Sequence, residues 1–89
     1  MKNKTGSPYQ QELIGSYVSV VDSKHRGYLR IKGKIVDETM KTLLVNCKGV
    51  SKIIPKKGNI FSAEMKNGTE TLVGDRLMFR PEDRIKRLG

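Results

Sequence analysis

The chain has 89 residues, 18 Lys and Arg against 9 Asp and Glu, a formal net charge of +9, one histidine and one cysteine. A chain this short makes one small domain with a modest core and no deep active-site cleft. Its charge suits nucleic acid, an anionic membrane surface or an acidic protein, and the lack of a long apolar run or basic amphipathic helix speaks against the membrane. The lone Cys47 excludes an internal disulfide and a cysteine-clustered zinc site. It alternates with Leu43 and Val45 and reads as a small core residue. No apolar stretch follows residues 1–6, so no secretory signal is read and a cytoplasmic location is expected.

Residues 1–6 are polar and expected to be disordered. A short helix is predicted over 7–15: Ser7 caps it, Pro8 suits the first helical position, Gln10 completes a capping box and Gly15 ends it. Residues 16–80 then read as a barrel of short strands and tight turns. A first strand spans 17–22, and the basic turn Lys24-His25-Arg26-Gly27 leads to a second and longest over 28–37. There Leu29, Ile31 and Ile35 share one face with Gly33, while Arg30, Lys32 and Lys34 share the other. Cations on one face lie about 7 Å apart, twice the ~3.3 Å rise per residue. That repulsion calls for an extended polyanion. Gly33 suggests a bulge or bend.

Strands over 42–47 and 50–55 flank Lys48-Gly49, which suits a two-residue hairpin. After the turn 56–59, strands over 60–65 and 70–73 flank Asn67-Gly68, the strongest short hairpin signal. A continuation over 76–80 is expected after a break at Gly74-Asp75. The pattern predicts an all-β fold: a small, strongly bent antiparallel barrel of five to six strands, with short N- and C-terminal helices. Residues 81–89 form the C-terminal helical extension. Pro81 starts it, Glu82 and Asp83 occupy its first turn, and Arg84, Lys86 and Arg87 follow, as the helix dipole favours. Leu13 and Ile14 at one end, and Ile85 and Leu88 at the other, are narrow apolar edges expected to meet a protein partner that orders at least one end.

Catalysis by this chain alone is not expected. His25 lies between Lys24 and Arg26 and reads as a solvated turn residue. Asp37 and Glu38 are adjacent, so a strand points them to opposite sides rather than pairing them. The scattered glycines form no phosphate cradle. The cations carry the functional reading: Lys24, Arg26, Arg30, Lys32 and Lys34; Lys48, Lys52, Lys56 and Lys57; then Arg76, Arg80, Arg84, Lys86 and Arg87. Of these, Lys24, Arg26, Arg30, Lys32, Lys34, Lys56, Lys57, Arg76, Arg80, Arg84 and Arg87 are the candidate RNA contacts on one continuous basic face. Sparse aromatics favour phosphate and shape contacts with folded RNA over readout of an unstacked strand.

Several segments resemble the archaeal ribonuclease P protein component 1 family. They are Glu12-Leu13-Ile14-Gly15, Ile31-Lys32-Gly33-Lys34-Ile35-Val36-Asp37-Glu38-Thr39, Thr42-Leu43, Ile53-Ile54-Pro55-Lys56, and Arg76-Leu77 with Arg80-Pro81-Glu82-Asp83-Arg84-Ile85-Lys86. The ordered set covers residues 12–87. Asn46-Cys47-Lys48-Gly49 departs from the more acidic or polar hairpin expected there. The resemblance implies an Sm-like, SH3-type barrel in a non-catalytic subunit of a ribonucleoprotein. In such a particle the RNA, with bound magnesium, removes the 5′ leader from precursor tRNA. It further implies pairing with a zinc-ribbon subunit, work beside other ribonuclease P proteins, support of the RNA specificity domain, and no cofactor bound by this chain. The alternatives are a KOW-like or SH3-like ribosomal protein, which Val18-Ser19-Val20 before a glycine-bearing strand also fits, and a protein-interaction barrel.

Overall fold

In the computed structural model, which describes residues 8–66 and 68–87, six strands form one antiparallel sheet. They are β1 (Tyr17–Ser23), β2 (Lys32–Glu38), β3 (Thr42–Cys47), β4 (Val50–Pro55), β5 (Asn59–Met65) and β6 (Gly68–Val73), in the spatial order β4-β3-β2-β1-β5-β6. Val18 and Val20 of β1, Ile35 of β2, Leu43 and Val45 of β3, Ile54 of β4, Phe61 and Ala63 of β5 and Leu72 of β6 point into one core. This is the alternation expected of a sheet with one dry face. Cys47 and Tyr28 pack against its margin.

Two bulges give the sheet its bend. The β1–β5 register slips at Val21, between Val20↔Phe61 and Asp22↔Ile60. The β2–β3 register slips at Val36, between Ile35↔Val45 and Asp37↔Leu44. An extra residue on one strand raises local twist and turns that residue outward; both valines are exposed. The bend expected at Gly33 is thus centred on Val36. Gly33 instead lets β3 approach, since a Cβ there would lie 2.1 Å from the Asn46 carbonyl oxygen. At the far ends, β4 and β6 converge where Gly74 sits on the backbone of Lys56. A Cβ at Gly74 would lie 1.7 Å from the Lys56 oxygen, so only glycine fits.

The Lys48-Gly49 hairpin forms as predicted. Both residues have positive φ, 53° and 86°, as a type I′ turn requires, and Asn46 Oδ1 accepts a hydrogen bond from the Gly49 N–H at 2.8 Å. Asn67 lies outside the described residues, but β5 and β6 pair as far as Met65↔Gly68. The second strand is shorter than predicted. Residues Arg26–Tyr28 form a 3₁₀ turn, and Arg30 has φ of 70°, so alternation begins only at Lys32. The continuation expected over 76–80 is replaced by a 3₁₀ turn, Gly74–Leu77, which buries Leu77.

The C-terminal helix α1 (Pro81–Arg87) is present. The N-terminal helix reduces to one 3₁₀ turn, Pro8–Gln10, with Ser7 outside the described residues. Its backbone groups go elsewhere. Gly15 N–H donates to the Ile35 oxygen at 2.8 Å, the Ser16 oxygen accepts from Ile35 N–H at 2.9 Å, and Arg84 takes the Tyr9 and Gln11 carbonyls. Tyr9 and Leu13 are buried in the barrel core. Leu13 is therefore a core residue and not a partner contact.

Candidate nucleic-acid interface

The bulge at Val36 has a chemical consequence. Strict alternation from buried Ile35 would turn Asp37 inward, but the slip turns Glu38 inward instead. Its carboxylate meets two buried cations. Lys56 Nζ donates to Oε2 at 2.8 Å, while Arg84 donates through Nη2 to Oε1 at 2.9 Å and through Nε to Oε2 at 3.1 Å. Lys56 also donates to the Thr39 and Phe79 carbonyls, at 2.7 and 3.1 Å. Arg84 Nη1 reaches the Tyr9 and Gln11 carbonyls at 2.7 and 2.6 Å. Both cations have 0% exposure. Desolvation pulls the Lys56 ammonium below the ordinary lysine value, with Glu38 opposing that shift.

Lys56 and Arg84, read from sequence as RNA contacts, are thus internal. They tie the β4–β5 turn and α1 to the end of β2 and to the N-terminal segment. Tyr9 completes the tie, with its hydroxyl accepting from Val73 N–H at 2.9 Å and Arg76 lying 4.3 Å over its ring. One network thus joins residues 9–11 to α1. The docked side of α1 carries Arg84, and Ile85 is exposed, as is Ile14 beside buried Leu13. Leu88 lies outside the described residues, and so does the side chain of Arg87.

The exposed cations separate into groups. Lys24, Arg26 and Lys57 lie on loops at the Ser23 end of β1, where Lys24 N–H donates to the Gly58 oxygen at 3.0 Å. Asp22 and Asp75 share a shallow recess with Lys24, so charge there is mixed. His25 meets only Tyr28, edge-on at 6.1 Å, among the ring contacts of the described residues. Arg30 is exposed but off the strand, and Arg76 and Arg80 are exposed near α1.

At the other end of β1 the sheet's outer face carries three lysines among polar side chains, with exposed Val36 and one carboxylate, Glu64, beside them. Registers align Tyr17 with Lys34 and Lys34 with Asn46, and align Lys32 with Ser19 and Ser19 with Ser62. These residues line a groove of about 560 Å³ that also takes in Lys48, Thr69 and Glu64. Lys32, Lys34 and Lys48 take part in no ion pair within 4.0 Å among the described residues, whose ion pairs are those of Glu38. Lys48 enters because the tight hairpin brings it beside Asn46, a placement that counting charges along the chain does not supply. The described residues contain no group of three or more His, Cys, Asp or Glu that could hold a metal ion. They contain no helix long and apolar enough to cross a membrane.

Fold and face together define a small, basic, all-β module in which a buried charge network joins residues 9–11, the end of β2 and α1. The chain belongs to the ribonuclease P/MRP subunit p29 family, whose model matches residues 9–87. It is similar to ribonuclease P protein component 1 of Archaeoglobus fulgidus, with 40% identity over 77 residues covering 86% of this chain and 76% of that protein. The corresponding protein of Methanosphaera stadtmanae is 39% identical over 80 residues, covering 89% and 86%. A solved structure of a homologue of the human RNase P protein Rpp29 superposes with a TM-score of 0.62 at 36% identity, covering 84% of this chain and 99% of that one. The bent six-stranded sheet with short helices is that fold, and the chain is a protein component of ribonuclease P.

Proposed function

We propose that this subunit binds the RNA of ribonuclease P through the outer face of β1, β2 and β3, and that the RNA carries the chemistry of 5′-leader removal from precursor tRNA. The observation that carries the reading is the lysine trio, Lys32, Lys34 and Lys48, exposed and in no ion pair within 4.0 Å among the described residues, around a groove with one carboxylate, Glu64. Membership of the ribonuclease P/MRP family supports ribonuclease P RNA as the ligand in this reading. Each phosphate neutralised there releases counterions, and a rigid sheet holds the lysines at fixed spacing. Binding that is tighter to the folded RNA than to its alternatives shifts the RNA population toward the active form. Magnesium belongs with the RNA component in this reading. The zinc-ribbon subunit and the specificity domain of the RNA are the expected neighbours in the particle, and the cytoplasm its location.

The test is to isolate the tagged chain from cells and sequence its RNA. Ribonuclease P RNA should dominate. Added to that RNA with the other protein subunits, the chain should lower the magnesium needed for cleavage. Enrichment of ribosomal RNA instead would favour the ribosomal-protein reading, and finding no RNA at physiological salt would favour a protein-interaction barrel.

A further inference from the structure

Five aromatic residues occur in the chain. Tyr9 and Phe61 are buried and Tyr28 and Phe79 half-buried, leaving Tyr17 as the exposed one at 58%. A single exposed aromatic is unremarkable by itself. Its surroundings are not. Tyr17 is the ridge between two grooves: the lysine groove described above, and a second of about 700 Å³ lined by Gln11, Glu12, Ile14, Glu64, Met65 and Lys66. The second groove sets two carboxylates against one lysine and repels phosphate. The first sets three lysines against one carboxylate and attracts it.

We infer that Tyr17 stacks on one unpaired base of the bound RNA, with the flanking phosphates on Lys34 and Lys48 and a ribose facing Ser19 and Ser62. The inference rests on the proposed RNA-binding face and adds what that face selects: a bulged or looped nucleotide within folded RNA. Three features support it. Tyr17 and Lys34 are register partners, which places their Cβ atoms about 5 Å apart on one face. A ring beside a cation offers one base face and one phosphate in the same reach, the pairing that single-stranded RNA sites use. The groove lining includes the short hydroxyl side chains Ser19 and Ser62, which leave room beside the ring and can meet a 2′-hydroxyl.

Gly33 permits the arrangement. It lies between Lys32 and Lys34 on the opposite face, where the absent Cβ lets β3 approach and bring Asn46 and the Lys48 turn beside Lys34.

The test compares Tyr17→Ala, Tyr17→Phe, and Lys34→Ser with Lys48→Ser, each assembled with full-length ribonuclease P RNA. Affinity is titrated over a salt series, and 2′-hydroxyl acylation maps the RNA. Tyr17→Ala should weaken binding about 5- to 150-fold, the range for one stacked base, without changing the salt slope. It should also re-expose one unpaired nucleotide that the parent protects. Tyr17→Phe should keep both affinity and protection. The double lysine variant should instead flatten the slope by about 1.4 to 1.8 units. If Tyr17→Ala binds and protects like the parent while the lysine variant flattens the slope, RNA crosses this face by its backbone alone, and the stacking inference is overturned while the RNA-binding reading stands. If Tyr17→Ala loses a co-purifying protein subunit but no RNA protection, the groove is a protein contact and the inference fails. If the parent itself binds no ribonuclease P RNA, the function proposed above fails first.

Discussion

Replacing Glu38 by Gln keeps the volume at the centre of the charge network and removes the negative charge between Lys56 and Arg84. Both cations are fully buried, and neither has another anion among the ion pairs of the described residues. Breaking a buried pair by removing one partner costs about 3–5 kcal/mol. Against a total of about 5–15 kcal/mol for a small domain, that is a large fraction. With about 4–8 °C lost per kcal/mol at this chain length, the midpoint should fall by roughly 12–40 °C. The loss should also depend on pH. Burial already draws the Lys56 ammonium below its ordinary value and Glu38 holds it up, so removing Glu38 lowers it further. Between that lowered value and the ordinary one, the unfolded chain binds more protons than the folded chain, and stability rises with pH. Glu38→Gln should therefore recover stability as pH rises, beginning at lower pH than the parent. Urea unfolding followed by circular dichroism over a pH series measures both effects, with exposed Glu64→Gln as a control within about 0.5 kcal/mol of the parent. A loss under about 1 kcal/mol, or one independent of pH, would refute the assignment of Glu38 as the counter-charge of both cations.

Arg84→Met removes the donors to the Tyr9 and Gln11 carbonyls. Amide exchange should then accelerate at Gln11 and Ser16 while β3 stays protected; unchanged exchange there would mean Arg84 does not hold the N-terminal segment. Gly74→Ala forces a Cβ against the Lys56 carbonyl and should cost about 1–3 kcal/mol, as overpacking does, in the same urea assay; parent-like stability would contradict the close approach. Precursor tRNA should survive incubation with the RNase-treated chain in any metal, and cleavage by the protein alone would end the view that the RNA carries the chemistry.

Much of this structure can be read from residue order. The alternation of Leu43, Val45 and Cys47 marks β3, Lys48-Gly49 fixes the β3–β4 register through its two positive φ angles, and Pro81 marks the start of α1. The misreadings have separate causes. Period two places residues on faces only until a bulge shifts the count, and Val36 does so just before Asp37 and Glu38. Lys56 and Arg84 read as surface charge because charge alone does not report burial. Their counter-ion is 18 and 46 residues away in sequence, and only the fold brings them together. Arg30 counts with Lys32 and Lys34 in a list, but its left-handed backbone takes it off the strand. Lys48 joins them only because the tight turn places it there.

The central claim is that RNA lies on Lys32, Lys34 and Lys48, and the salt dependence of binding tests it most directly. Ribonuclease P RNA should bind the parent with a steep fall in affinity as salt rises. Lys32→Ser, Lys34→Ser and Lys48→Ser together should flatten the slope of log affinity against log salt by about two to three units, at roughly 0.7–0.9 per phosphate contact. The matched triple of Lys24→Ser, Arg26→Ser and Lys57→Ser, at the mixed-charge end, should change it less. Equal flattening by both triples, or no change with the first, would contradict the account.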